Sequence, residues 1–396
     1  MIFNQRNTMA RFLILIICLF IFPVSHVLSG RLASAGPADI PSLLLSLPLD
    51  DAGPPSILWF EKGKALYKLM AYREAAEAFS RIEKDGEKSG VPRDVIEESL
   101  YLRANSLMKI GDYSGAAALL NLIPDKGRFY NYGLYTKAMI HLHQGNEKDA
   151  IEDLGQISKD SPAEDLTFKA HLTSGFIFLE KGNRSEAVRH FAVIPVTSPF
   201  YAQALFGSGW SYARMGRWVR AVVFWEELSS RYPESKYARE VMPYIGHAYT
   251  TLSAYGKALE QNGAALRYYE NLLKRVSDIG KEIPSKNMKT ITQAVGIVGD
   301  KGLSDDLELY QGLLSVEGYL LGQKDLGESP VGTLITASKK MRDDIADRLS
   351  ERLSRRIEDL RHQLLEASFN ASLEIARNLR LEGGGRISND MIFNEP

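Results

Sequence analysis

The stretch Gly209–Pro233 reads "GWSYARMGRWVRAVVFWEELSSRYP" and holds Trp210, Trp218 and Trp225, three of the chain's four tryptophans. Its meaning depends on whether it is unique or one copy of a repeat. Alanines in the local context of Ala221 recur at Ala75, Ala116, Ala150, Ala187 and Ala258, spaced 41, 34, 37, 34 and 37 residues along the chain. Twelve residues before each alanine stands a small residue: Gly63, Ala104, Ala138, Gly175, Gly209 and Gly246. Five residues before it is Gly111, Gly145, Gly182 or Gly216, with Met70 and Ser253 as exceptions. Four residues after it is a bulky apolar residue, Phe79, Leu120, Leu154, Phe191 or Trp225, with Asn262 breaking the column. Pro162, Pro199 and Pro233 close three of the copies.

Each copy therefore reads as two helices. The central glycine supplies the left-handed residue that ends the first helix. The small residue and the alanine mark a close crossing, and the bulky residue fills the space beside it. Proline ends the unit because it cannot continue a helix. One such hairpin cannot bury its own apolar face, whereas a stack of them can.

These columns resemble the tetratricopeptide repeat, whose period is about 34 residues. The resemblance runs over Ser56–Lys274, with Leu205–Pro233 and His171–Pro199 as the best copies. It implies an all-α, right-handed superhelical solenoid of about six hairpins, followed by extra helices. The loop Lys84–Asp94 explains the longer first step. Trp225 falls in the core column and Trp218 in the packing column with Tyr72, Tyr113 and Tyr255, whereas Trp210 falls on the inner side.

In such a solenoid the first helices line a concave face. The inner positions are Phe60, Lys64 and Tyr67; Tyr101, Asn105 and Met108; Tyr132, Tyr135 and Met139; Leu172, Phe176 and Leu179; Phe206, Trp210 and Arg214; Tyr244 and His247. This is an aromatic groove with few charges. Tyr and Trp suit interfaces because they bury large area at low entropic cost. An extended peptide or an amphipathic helix of a protein partner would fit. The family's carboxylate clamp of Lys and Asn side chains is matched only at Asn105, so no clamp is expected. The competing reading packs these aromatics against the next helix or the C-terminal helices.

The N-terminus is of another kind. Arg6 and Arg11 precede the apolar run Phe12–Val27, and "ASA" follows at Ala33–Ala35. That order describes a secretory signal peptide over residues 1–35, with cleavage after Ser29 or an uncleaved anchor as alternatives and residues 36–55 as a linker. The chain's one cysteine, Cys18, lies in the apolar run. A mature chain would hold no disulfide, cysteine metal site or cysteine nucleophile, and no cysteine to carry a lipid. A cysteine-free exported chain suits a Gram-negative periplasm better than a eukaryotic extracellular space. The link Ser229–Ala238, "SSRYPESKYA", resembles those of periplasmic tetratricopeptide proteins such as outer-membrane-assembly lipoproteins and Tol-Pal coordinators. A net charge of −1 gives no basic footprint for nucleic acid.

The repeat fades after Arg267–Val276, leaving 276–332 as a helical connector. Within it, Asn287–Gly299 and Ser304–Gly322 read as helices, Ser304 as an N-cap, and Gly322–Gly332 as a loop. A long helix over 333–382 starts near Ser329-Pro330 and stops at Gly383–Gly385. Its stripe Met341, Ile345, Leu349, Leu353, Ile357, Leu360 and Leu364 steps mostly by four, unlike a coiled-coil heptad. Docking on this chain, self-association and a recruiting arm are the readings it offers. The tail 383–396 is expected to be disordered.

No catalytic motif appears: no G-x-S-x-G, H-E-x-x-H or phosphate loop. His141 and His143 lie two apart on a helix and diverge, so they share no metal. No cofactor or metal is expected. The chain reads as a non-enzymatic exported scaffold that binds envelope proteins, or as a self-assembling structural protein whose groove is filled by its own C-terminal helices.

Overall fold

The computed structural model describes residues 55–85, 91–157, 164–322 and 328–382. The expected signal peptide, most of the linker and the tail 383–396 lie outside them, as does 86–90 of the first loop. The described residues form fifteen α-helices and one 3-10 turn, and none of these helices is long and apolar enough to cross a membrane.

Twelve helices pair into six hairpins. They are α1 (Pro55–Lys68) with α2 (Tyr72–Asp85), α3 (Arg93–Lys109) with α4 (Tyr113–Leu120), and α5 (Tyr130–His143) with α6 (Glu147–Gln156). Then come α7 (Glu164–Glu180) with α8 (Arg184–Ala192), α9 (Tyr201–Arg214) with α10 (Trp218–Arg231), and α11 (Lys236–Thr251) with α12 (Tyr255–Glu282). Three more follow: α13 (Met288–Val298), α14 (Lys301–Gly322) and the 55-residue α15 (Glu328–Glu382).

The repeat columns are the packing. All six column alanines, Ala75 through Ala258, have no exposed surface. A methyl built on Gly209 would come within 2.2 Å of the Trp225 indole, and one on Gly175 within 2.6 Å of Phe191. The small residue thus admits the bulky one, and interiors packed this closely leave no room for both to be large. The turn column is equally consistent. Gly111, Gly145, Gly182 and Gly216 have φ between 72° and 87°, and the two exceptions, Met70 and Ser253, hold φ of 57° and 58°. The turn thus persists where glycine does not.

The chain divides into two compact units. The first comprises the chain to Ala170 with Lys301–Leu349. In it the hairpins α1/α2, α3/α4 and α5/α6 are joined by α14 and the first part of α15. Buried Glu97 accepts a hydrogen bond from the Arg128 backbone N–H at 3.1 Å, which anchors the loop before α5. Arg342 pairs with buried Glu317 at 2.7 Å, tying α15 to α14.

The second unit comprises His171–Asp300 with the chain from Ser350 onward. Here α15 packs beside the last hairpin. The Ser350 hydroxyl donates to the Ile283 carbonyl at 3.3 Å, Arg356 pairs with Asp300 at 2.9 Å, and Thr250 bonds Asn378 at 2.9 Å. The stripe residues Leu353, Ile357, Leu360 and Leu364 are buried here, and Ile345 and Leu349 in the first unit, with Met341 half-buried.

Helix α12 runs past the end of the repeat pattern to Glu282, where Pro284 and left-handed Lys286 break it. Two local expectations are corrected. Helix α14 begins at Lys301, so Ser304 is an interior residue and not an N-cap. Helix α15 begins at Glu328, so the expected loop is helical from there on. Helix α13 has the ends expected of it: the Asn287 side chain accepts from the Lys289 N–H, and Gly299 closes it at φ 67°.

Candidate protein-binding surface

The inner positions of the first unit converge on one face. Phe60 is buried with its ring 6.2 Å from Phe79, and Lys64 lies 4.6 Å above the Phe60 ring while pairing with Glu61 at 2.8 Å. Tyr67 meets Tyr72 edge-on at 5.3 Å. Tyr101 stacks on Phe129 at 5.3 Å and lies 5.9 Å from Tyr132. Asn105 is buried. It donates to the Tyr101 carbonyl at 2.9 Å and accepts from Thr136 at 3.4 Å, so both ends of its amide are engaged within the fold. Tyr135 and Met139 are buried, with the Lys169 ammonium 4.6 Å from the Tyr135 ring centre.

Helix α14 lies against this face. Gly312 is so close to the Lys68 carbonyl that a methyl there would stand 2.7 Å from the oxygen, and the Lys68 ammonium reaches the Ser315 hydroxyl at 3.5 Å. Burial raises the Tyr67 hydroxyl well above its ordinary value, aided by Tyr72, Tyr101 and Glu308 of α14. Burial likewise lowers Lys109 to about 8, helped by Lys301 and opposed by Asp305 and Glu308. Leu309, Leu313 and Val316 bury the apolar side of α14. An amphipathic helix with Asp305 and Glu308 in its N-terminal half thus covers tyrosines and a lysine.

The second unit gathers a larger aromatic cluster. Phe176 meets Phe191 edge-on at 5.0 Å. Trp210 meets Trp225 at 5.2 Å and Tyr244 at 4.6 Å, and Phe206 meets Tyr237 at 5.3 Å. Phe176, Phe206 and Trp210 are buried, Arg214 and Tyr244 are half-buried, and His247 is exposed with Trp218 edge-on at 5.8 Å. Beside Tyr244 sits Glu240, which burial raises to about 7 although Lys236 and Arg239 pull it down. Helix α13 ends here: Arg239 donates to the Ile297 carbonyl at 3.4 Å, and Gly299 faces the Lys236 stem.

Of the seventeen inner residues, the structure buries Phe60, Asn105, Tyr135, Met139, Leu172, Phe176, Leu179, Phe206 and Trp210, and leaves Lys64, Tyr67, Tyr101, Met108, Tyr132, Arg214 and Tyr244 half-exposed and His247 exposed. Two polar contacts escaped the repeat reading. His171 and His190 face each other with Nδ1 atoms 3.0 Å apart, and burial lowers His190. His141 lies 3.5 Å from Asp153, and His143 stacks on Tyr113 at 5.1 Å. Among the described residues no three His, Cys, Asp or Glu side chains gather as metal ligands.

Comparison with known proteins bears on the hairpins. Residues 203–235, the hairpin α9/α10, match the tetratricopeptide repeat. The chain therefore carries a tetratricopeptide repeat there, and its other hairpins are built on the same columns. No curated protein matches the chain. Among solved structures it is similar to the C-terminal part of a tetratricopeptide repeat-containing protein from Cytophaga hutchinsonii, at 16% identity and TM-score 0.41 over 73% of this chain and 98% of that one. It is also similar to the Rap protein complexed with competence and sporulation factor, at 15% identity and TM-score 0.27 over 82% and 100% of the two chains. The TPR2AB domain of yeast Sti1 in complex with pHSP90 matches at 17% identity and TM-score 0.23, over 54% and 90%.

Proposed function

We propose that this protein is a non-enzymatic, exported scaffold that binds other proteins of a Gram-negative cell envelope through the inner face of its repeats. The observation that carries the reading is the way α14 sits against Tyr67, Tyr72 and Lys109. A face that takes one amphipathic helix through aromatic and lysine contacts has the chemistry to take another in its place. Export rests on the charged, apolar and small-residue order of residues 1–35. Periplasmic assembly, cell-wall coordination, polysaccharide export and motility machinery are the settings such a scaffold would serve.

A photoreactive residue replacing half-buried Tyr132 in the native envelope tests this. A crosslink to a distinct protein supports the scaffold reading. Crosslinks into α14 alone favour a second reading, in which α13 and α14 close the inner face permanently and the chain acts as a self-assembling structural protein. The close seat of Gly312 on the Lys68 carbonyl favours that second reading. Gly312→Leu would lift α14 and separates the two. Under the scaffold reading, capture at Tyr132 rises several-fold. Under the structural reading, stability falls and nothing is captured.

A further inference from the structure

The C-terminal turns of α15 have two apolar faces. One carries Leu353, Ile357, Leu360, Leu364 and Ala371, all buried against the second unit. The other carries Leu365, Phe369 and Leu373, which are 49%, 63% and 48% exposed. Steps of four along a helix of about 3.6 residues per turn keep these three on one stripe, on the side away from the buried one. Scattered exposed apolar residues are ordinary, whereas a contiguous row marks an interaction surface.

We propose that this outer stripe is the interface of a twofold dimer of this chain, in which two copies of α15 lie antiparallel and cross at Phe369. The choice of a second copy as occupant comes from the order of residues about that position. Leu365 and Leu373 stand four residues to either side of Phe369, and Glu358 and Arg380 stand eleven to either side. An antiparallel pair brings together residues equally distant from the crossing. Leu365 then meets the second copy's Leu373, and Glu358 meets its Arg380. Both pairings occur twice, as a self-complementary twofold interface requires.

A parallel pairing would set Glu358 on Glu358 and Arg380 on Arg380, so the charges select the antiparallel one. Glu358 already pairs with Arg361 and His362 of its own helix, but Glu358 and His362 are exposed and Arg361 is half-exposed, so these pairs rearrange at little cost. The contact runs about 33 Å along the helix, at about 1.5 Å per residue. A single helix pair of that length lies at the small end of specific interfaces, so the dimer is expected to be weak and concentration-dependent. It does not depend on what occupies the inner face of the repeats.

Sedimentation of the full chain from low to about 100 µM, a range that spans weak association, is the first measurement. Its mass should rise toward twice 44.2 kDa, and Phe369→Glu should hold it at one chain with unchanged helicity and melting temperature. The register is tested separately in a Cys18→Ser background. Phe369→Cys, which would sit on the axis, should form an intermolecular disulfide at least tenfold faster than Val223→Cys, an equally accessible site on α10. A monomer at every concentration overturns the proposal, as do equal crosslinking rates at the two sites. A chain that dimerises only when residues 383–396 are removed would make its own tail the occupant, and overturns it too.

Discussion

The fifth and sixth hairpins are built on the same columns and closed differently. In α9/α10, Gly209 faces Trp225, which has no exposed surface and also meets Tyr244 of the next hairpin at 6.2 Å. In α11/α12, Gly246 faces Asn262, a small polar residue in the column of bulky apolar ones. Beside Asn262 is a cavity of about 240 Å³, lined also by Tyr269, Ala371 and Glu374. The Nδ2 of Asn262 has no hydrogen-bond partner. Pro243 interrupts α11, and the Tyr269 hydroxyl donates to the Arg239 carbonyl that Pro243 cannot satisfy, at 3.3 Å. The difference teaches what the aromatic is for. It is needed where another hairpin closes on it. At the end of the array the neighbour is α15, which does not fill the same space.

The sharpest way to break that comparison is to truncate both positions. Trp225→Ala is expected to cost about 3–5 kcal/mol, because a fully buried indole leaves a cavity that rigid helices cannot close. Asn262→Ala is expected to cost well under half of that. Denaturant unfolding measures both, and equal losses would show that this position does the same job in the two hairpins, which breaks the comparison.

The next largest effect is electrostatic and belongs to the sixth hairpin alone. Burial raises Glu240 from 4.5 to about 7. The folded state therefore holds this proton more tightly than the unfolded chain. Stability should fall as pH rises through that window, with the loss complete above pH 7. Partial exposure screens the effect, which leaves on the order of 1–2 kcal/mol. Glu240→Gln should be more stable than the parent at pH 8 and no more stable at pH 4. Melting curves across this range check the sign, and a gain that persists at low pH would locate the cause elsewhere.

Asn262→Leu comes third. It removes an unpartnered amide and puts an apolar group beside the cavity, and a gain of about 1 kcal/mol is expected. A loss would mean that the amide is satisfied by water in the cavity, a role the aromatic column has nowhere else.

The repeat was legible because its columns encode contacts between residues close in sequence. A glycine five residues before an alanine ends a helix, and a glycine twelve before it admits the ring four after it. The inner face was legible as a set of positions but not as a surface. Phe206 or Trp210 on a first helix is apolar whether it meets a partner, the next hairpin or a distant helix. Only the fold reveals that α14 returns to the inner positions of the first unit. The extra turn of α14 before Ser304 was hidden because Lys301-Gly302 reads as a loop, while Leu303 and Asp306 are buried and hold the turn in place. Pro284 was the missed signal for the end of α12, since nothing before it breaks a helix.

The smallest effect tests the one column that tolerates exceptions. Met70 and Ser253 occupy the left-handed turn that Gly111, Gly145, Gly182 and Gly216 fill elsewhere. A side chain in that conformation costs roughly 1–2 kcal/mol, and glycine returns part of the gain as unfolded-state entropy. Ser253→Gly should therefore stabilise by about 0.5 kcal/mol, near 1–2 °C in melting temperature for a unit of this size. Gly216→Ala should destabilise by a similar or larger amount. Met70 is the more demanding case, because its side chain is half-buried and its loss removes packing as well as strain. A gain at Ser253 with none at Met70 would show that the first turn is held by what Met70 touches, and that the left-handed residue follows from the packing of α1 on α2 rather than setting it.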